Sequence, residues 1–93
     1  MGNKCEIGWK RVNNEGQVVQ VFARRRGGEW IFFQRSKRYE QWQKILFPEI
    51  QDWLILLDSV ERRIKRRLFP PKEAELIKKK ICELFPEFNK DQI

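Results

Sequence analysis

The sequence predicts an α+β domain: an antiparallel meander of three or four strands followed by two C-terminal helices packed on one face, in the order ββββαα or βββαα. Three observations carry this fold class. Two β-rich runs, QVVQVFA and EWIFFQR, flank Arg26-Gly27-Gly28-Glu29, where a Gly-Gly pair supplies the positive φ of a two-residue hairpin turn. The apolar residues of an earlier segment fall on the same face as those of this hairpin once its register is worked out. After Pro48 the spacing of apolar residues changes from two to three and four. The expected elements are strands over 4–12, 17–26 and 29–37, a further strand over 40–45, and helices over 49–68 and 71–85, in one domain spanning 1–93.

The first strand rests on Cys5, Ile7 and Trp9 alternating with Glu6, Gly8 and Lys10. Asn14-Glu15-Gly16 then forms a three-residue hairpin loop, with Gly16 in the left-handed conformation of a bulge. That loop sets Val12 opposite Val18, Trp9 opposite Val21 and Ile7 opposite Ala23. A two-residue loop would instead place Ile7 and Trp9 on the other face and leave the core face half polar.

The Gly27-Gly28 turn sets Arg26 opposite Glu29, Arg24 opposite Ile31, Phe22 opposite Phe33 and Val21 opposite Gln34. Side chains alternate across a strand. One face therefore carries Ile7, Trp9, Val19, Val21, Ala23, Trp30 and Phe32, a core. The other gathers Lys10, Val12, Val18, Gln20, Phe22, Arg24, Arg26, Ile31, Phe33, Arg35 and Lys37.

From Ser36 to Phe47 the pattern weakens: Tyr39, Gln41, Gln43 and Ile45 alternate with Glu40, Trp42, Lys44 and Leu46, which allows a fourth strand, and an irregular connection fits almost as well. Trp42 is expected on the sheet edge or under the helices, because so large a ring is seldom fully exposed. Pro48 suits a helix's first turn, and Ile50, Trp53, Leu54, Leu57, Val60, Ile64 and Leu68 form an amphipathic stripe. Glu49 and Asp52 at its start and Arg62, Arg63, Lys65, Arg66 and Arg67 at its end complement the helix dipole. Phe69-Pro70-Pro71 ends this helix. The next carries Ala74, Ile77, Ile81, Leu84, Phe85 and Phe88, with Glu73 and Glu75 in its first turn, Lys78, Lys79 and Lys80 directed mostly to solvent, and a frayed end from Asn89.

Composition bounds the function. The 93 residues are 41% hydrophobic and 35% charged, with four Trp, seven Phe and one Tyr, enough for one core. The net charge of +7 favours anionic partners, nucleic acid before membrane. With no His, no CxxC and the two cysteines, Cys5 and Cys82, near opposite ends, no metal site or cofactor is expected, and the thiols fit a reducing cytoplasm. The longest apolar run, Trp53 to Leu57, is too short for a membrane span or a signal peptide, and Met1-Gly2 lacks the Ser or Thr that myristoylation requires at Glu6.

Catalysis is not expected. The chain has no His and no Thr, and Ser36 and Ser59 are its only serine nucleophile candidates; its carboxylates are scattered. Gly27-Gly28 reads as a turn rather than a phosphate cradle, and no small-molecule substrate is inferred.

The mixed aromatic and basic sheet face is the candidate site. Single-strand binders combine rings on which bases stack with cations that follow the backbone. Phe22 and Phe33 are the expected stacking residues, and Lys10, Arg24, Arg26, Arg35 and Lys37 the phosphate contacts, joined by Arg62 and Arg66 if the first helix borders the sheet. The expectation is a small, non-catalytic module binding single-stranded DNA or RNA. The alternative is a protein-interaction or homodimerisation domain using the same face or the free edge strand. The meander followed by a helix, over Lys4 to Leu68, resembles in layout a PUR repeat, a nucleic-acid-binding fold that works through paired repeats. The likeness transfers no binding residue, and the added C-terminal helix departs from it.

Overall fold

A computed structural model describes residues 6–87. It contains β1 (Glu6–Val12), β2 (Val18–Arg26), β3 (Glu29–Arg35), β4 (Gln43–Ile45), α1 (Ile50–Lys65) and α2 (Lys72–Leu84). The expected order ββββαα is observed. Cys5, Phe88 and the terminal segment from Asn89 lie outside the described residues. The chain divides into two compact units, one ending at Phe47 and the other beginning at Pro48, and each is taken by itself.

The first unit is a four-stranded antiparallel sheet in the order β1-β2-β3-β4. Both hairpins have the register that their turn chemistry dictates. Ile7 pairs with Ala23, Trp9 with Val21 and Val12 with Val18 across the first; Phe22 pairs with Phe33, Val21 with Gln34 and Arg26 with Glu29 across the second. Gly16, Gly27 and Gly28 have φ of 80°, 60° and 85°, a region closed to most L-residues at low cost. Asn13 reinforces the first turn, its Oδ1 accepting the backbone N–H groups of Glu15 and Gln17 at 2.9 Å each, an Asx-type device that holds the loop closed.

The resulting parity puts Ile7, Val19, Val21, Ala23 and Phe32 on one face, all buried, and sets the Trp9 ring edge-on to Phe32 with centroids 6.1 Å apart. Burying a side chain the size of Val, Ile or Phe contributes about 1.5–3 kcal/mol, so this register is strongly preferred over one slipped by a single residue. Trp9 and Trp30 are only half-buried.

Three features of the sheet unit differ from expectation. β3 stops at Arg35, not Lys37, because a turn closed by the Glu40 N–H on the Lys37 carbonyl (3.0 Å) carries the chain away. The fourth strand exists but is confined to Gln43–Ile45, paired as Phe32 with Ile45, Phe33 with Lys44 and Gln34 with Gln43. Trp42, just before β4, lies across the aromatic and basic face, as described below.

In the second unit α1 buries Trp53, Leu56, Leu57 and Val60, and α2 buries Ala74, Ile77 and Ile81. Within each helix these positions are three or four apart, one face of the helix, and α1 contacts α2. Lys78 is not directed freely to solvent: its Nζ lies 3.8 Å from Glu61 of α1 and 3.6 Å from Glu75. Asp52 and Glu73 are buried acids in the first turns of their helices, where the unpaired N–H groups favour negative charge.

The ends of α1 differ from the sequence reading. Pro48 precedes the helix, whose N-cap is Glu49. The helix ends at Lys65 rather than 68, in a Schellman motif. The Leu68 N–H donates to the Arg63 carbonyl (2.8 Å) and the Arg67 N–H to the Ile64 carbonyl (2.9 Å). Arg67 occupies the left-handed position, φ 60°, usually held by glycine, and Leu68 leaves the apolar stripe at 59% exposure. The C-terminal helix, expected over 71–85, spans Lys72–Leu84 with Pro71 as N-cap, and Leu84 is exposed.

Candidate nucleic-acid interface

The face of the sheet opposite its buried residues is ordered in rows across the strands. One row runs Glu6, Arg24, Ile31; the next Gly8, Phe22, Phe33, Lys44; the third Lys10, Gln20, Arg35. Directly opposed side chains on one face lie close enough to interact, and each row makes a different contact.

In the first row Arg24 donates through Nε and Nη2 to the same oxygen of Glu6, at 3.0 and 2.9 Å. The same guanidinium carbon sits 5.5 Å from the Phe22 ring centroid and 5.9 Å from that of Phe33, within cation–π range. In the second row Phe22 and Phe33 stack on one another, centroids 4.8 Å apart and planes inclined by 18°. The two rings therefore form a pair that shares one interface, rather than two separate platforms. In the third row Arg35 Nε donates to Gln20 Oε1 at 2.8 Å.

Trp42 joins the last two rows. Its ring covers the Arg35 guanidinium at 4.3 Å and meets Phe22 at 4.6 Å with an interplanar angle of 88°. Arg35 is thereby held between a hydrogen bond and an indole face. Trp42 nevertheless keeps 38% of its surface exposed.

The structure brings Lys10, Phe22, Arg24, Phe33 and Arg35 onto one face, as their parity requires. Arg26 is exposed at the hairpin end, opposite Glu29. Lys37 lies past the end of β3, its Nζ 5.8 Å from the Tyr39 ring. Arg62 and Arg66 belong to the helical unit, where Arg62 pairs with Asp58 at 3.0 Å and Arg66 is the C-cap of α1.

Sequence reasoning missed Glu6 and Trp42, along with Gly8 and Lys44, as residues of this face. Glu6 was available from parity alone, since the register that opposes Ile7 to Ala23 also opposes Glu6 to Arg24. Trp42 was not, because its parity depends on the pairing of a three-residue strand with no apolar alternation to announce it. A groove of about 520 Å³ opens on this face, lined among others by Glu6, Gly8, Lys10, Phe22, Arg24 and Trp42. Among the described residues no group of three or more His, Cys, Asp or Glu is placed to hold a metal ion, and no helix is long and apolar enough to cross a membrane. No family model, no curated protein and no solved structure matches the chain, so the likeness to a PUR repeat rests on element order alone.

Proposed function

We propose that the chain is a non-catalytic module that binds single-stranded nucleic acid on the exposed face of its sheet. The observation that carries this reading is the joining of Phe22, Phe33 and Trp42 into one aromatic cluster bordered by Lys10, Arg24 and Arg35. Bases offer π-faces to such a cluster, each stacked base contributing roughly 1–3 kcal/mol, and the cations neutralise the backbone between them. A duplex hides its base faces, so it gains only the phosphate contacts. The net charge of +7 adds long-range attraction of the same sign.

The test is a titration with short single-stranded and duplex DNA and RNA at two ionic strengths. The expected result is a single-strand preference, with log affinity falling linearly in log salt. Affinity no greater than that of an unrelated basic domain of equal charge would refute it. A dimer detected by light scattering and abolished by Phe33→Glu would assign the face to self-association instead.

A further inference from the structure

Gly8 interrupts the aromatic and basic face. It stands opposite Phe22 in β1, between Glu6 and Lys10, whose side chains share its face by alternation. Its backbone is not in the positive-φ region that Gly16, Gly27 and Gly28 occupy. A Cβ built on it would meet the Val21 carbonyl oxygen at 3.5 Å and Phe22 Cβ at 3.7 Å, both ordinary contacts. Neither backbone conformation nor packing therefore demands glycine, and glycine within a strand weakens it. What its missing side chain does provide is the open floor of the groove, with Phe22 and Trp42 as walls set at 88° to one another.

The charge of the lining selects the ligand. An aromatic corner beside a carboxylate suits an organic cation in principle, but here Glu6 is engaged by Arg24, and Lys10, Arg24 and Arg35 all line the groove. Arg24 and Glu6 offset one another, so Lys10 and Arg35 leave the lining with an excess of positive charge that repels a cationic ligand and attracts an anionic one. A planar, uncharged ring carried on an anionic chain satisfies both the walls and the field. We infer that the groove over Gly8 receives one unstacked nucleobase of a bound single strand, flat against Trp42 or Phe22, with Lys10 and Arg24 on the adjoining phosphates. This rests on the single-strand reading above and adds to it that one base is inserted rather than laid on the surface.

The experiment compares the full chain with its Gly8→Val variant by fluorescence anisotropy. The probes are a labelled oligothymidylate of about ten nucleotides, within the span of single-strand sites, and an abasic deoxyribose-phosphate chain of the same length. The wild-type chain is expected to prefer the thymidylate, and Gly8→Val to lose roughly tenfold or more of its affinity for it, the equivalent of one stacked base. The abasic chain is expected to bind both proteins equally, and the salt dependence to stay unchanged because the phosphate contacts persist. Gly8→Ala, whose Cβ fits without displacing any atom, carries the same test should valine disturb the strand, with a smaller loss expected. Variants that keep the wild-type preference for thymidylate over the abasic chain would overturn the inserted base while leaving the binding face intact. A wild-type chain that binds neither probe beyond a charge-matched control would overturn both readings.

Discussion

Replacing Glu6 by Gln is expected to tighten single-strand binding. Arg24 gives two donors to one Glu6 oxygen, at 3.0 and 2.9 Å, and a phosphate must displace that carboxylate to use them. The pair is a surface pair, with side-chain exposures of 48% and 29%. Its worth is therefore about 0.2–1 kcal/mol, and releasing it translates into an affinity gain of roughly 1.4- to fivefold at low salt. A second signature is independent of that magnitude. Removing the carboxylate beside the phosphate raises the local net charge by one and steepens the slope of log affinity against log salt by up to about 0.7 for a single strand, so the advantage shrinks by as much as about 2.6-fold when salt rises fourfold. The assay is anisotropy with a labelled single-stranded oligonucleotide across a salt series, with urea melts to verify that the fold loses less than about 1 kcal/mol. Equal slopes for the two proteins, or weaker binding by Glu6→Gln at every salt, would show that Arg24 does not contact phosphate.

Two further substitutions separate ring stacking from folding. Trp42→Ala removes the exposed ring that covers Arg35 and meets Phe22; single-strand affinity is expected to fall by roughly 1–3 kcal/mol while duplex affinity changes little, as read in the same titration. Arg67→Gly is expected to stabilise the chain. A non-glycine residue at φ 60° costs about 1–2 kcal/mol, of which glycine's extra unfolded-state entropy returns roughly 0.5–1 kcal/mol, leaving a net gain of about 0.5–1 kcal/mol in a urea melt. Arg67→Ala keeps the strained φ and is expected to show no such gain, so equal stability of the Gly and Ala variants would refute the role assigned to the C-terminal motif.

The sheet was legible in detail because its information is local and redundant. Gly16 and the Gly27-Gly28 pair each specify a loop, and the burial of Ile7, Val21 and Phe32 agrees with no other register. The boundaries were less legible. Nothing in Arg66-Arg67-Leu68 signals a left-handed stop, since arginine is an ordinary helix former and the Schellman motif is recognised by a glycine that is not there. The apolar spacing runs on through Leu68, and only the hydrogen bonds from Arg67 and Leu68 back to Ile64 and Arg63 end the helix at Lys65.

The candidate site divides in the same way. Which residues share a face follows from strand parity, a property of the backbone alone, and so Lys10, Phe22, Arg24, Phe33 and Arg35 were determined by the sequence. How those side chains meet is a matter of rotamers and of neighbouring chain segments: Phe22 stacked on Phe33, Arg24 paired with Glu6, Trp42 brought over Arg35 from the connection before the fourth strand. Contacts of that kind run between strands and connections, and their energies of about a kilocalorie each leave no periodic trace in the sequence. Gly8 shows the difference in one residue, a weak position in a strand when met along the chain and an open groove once Phe22 and Trp42 stand beside it.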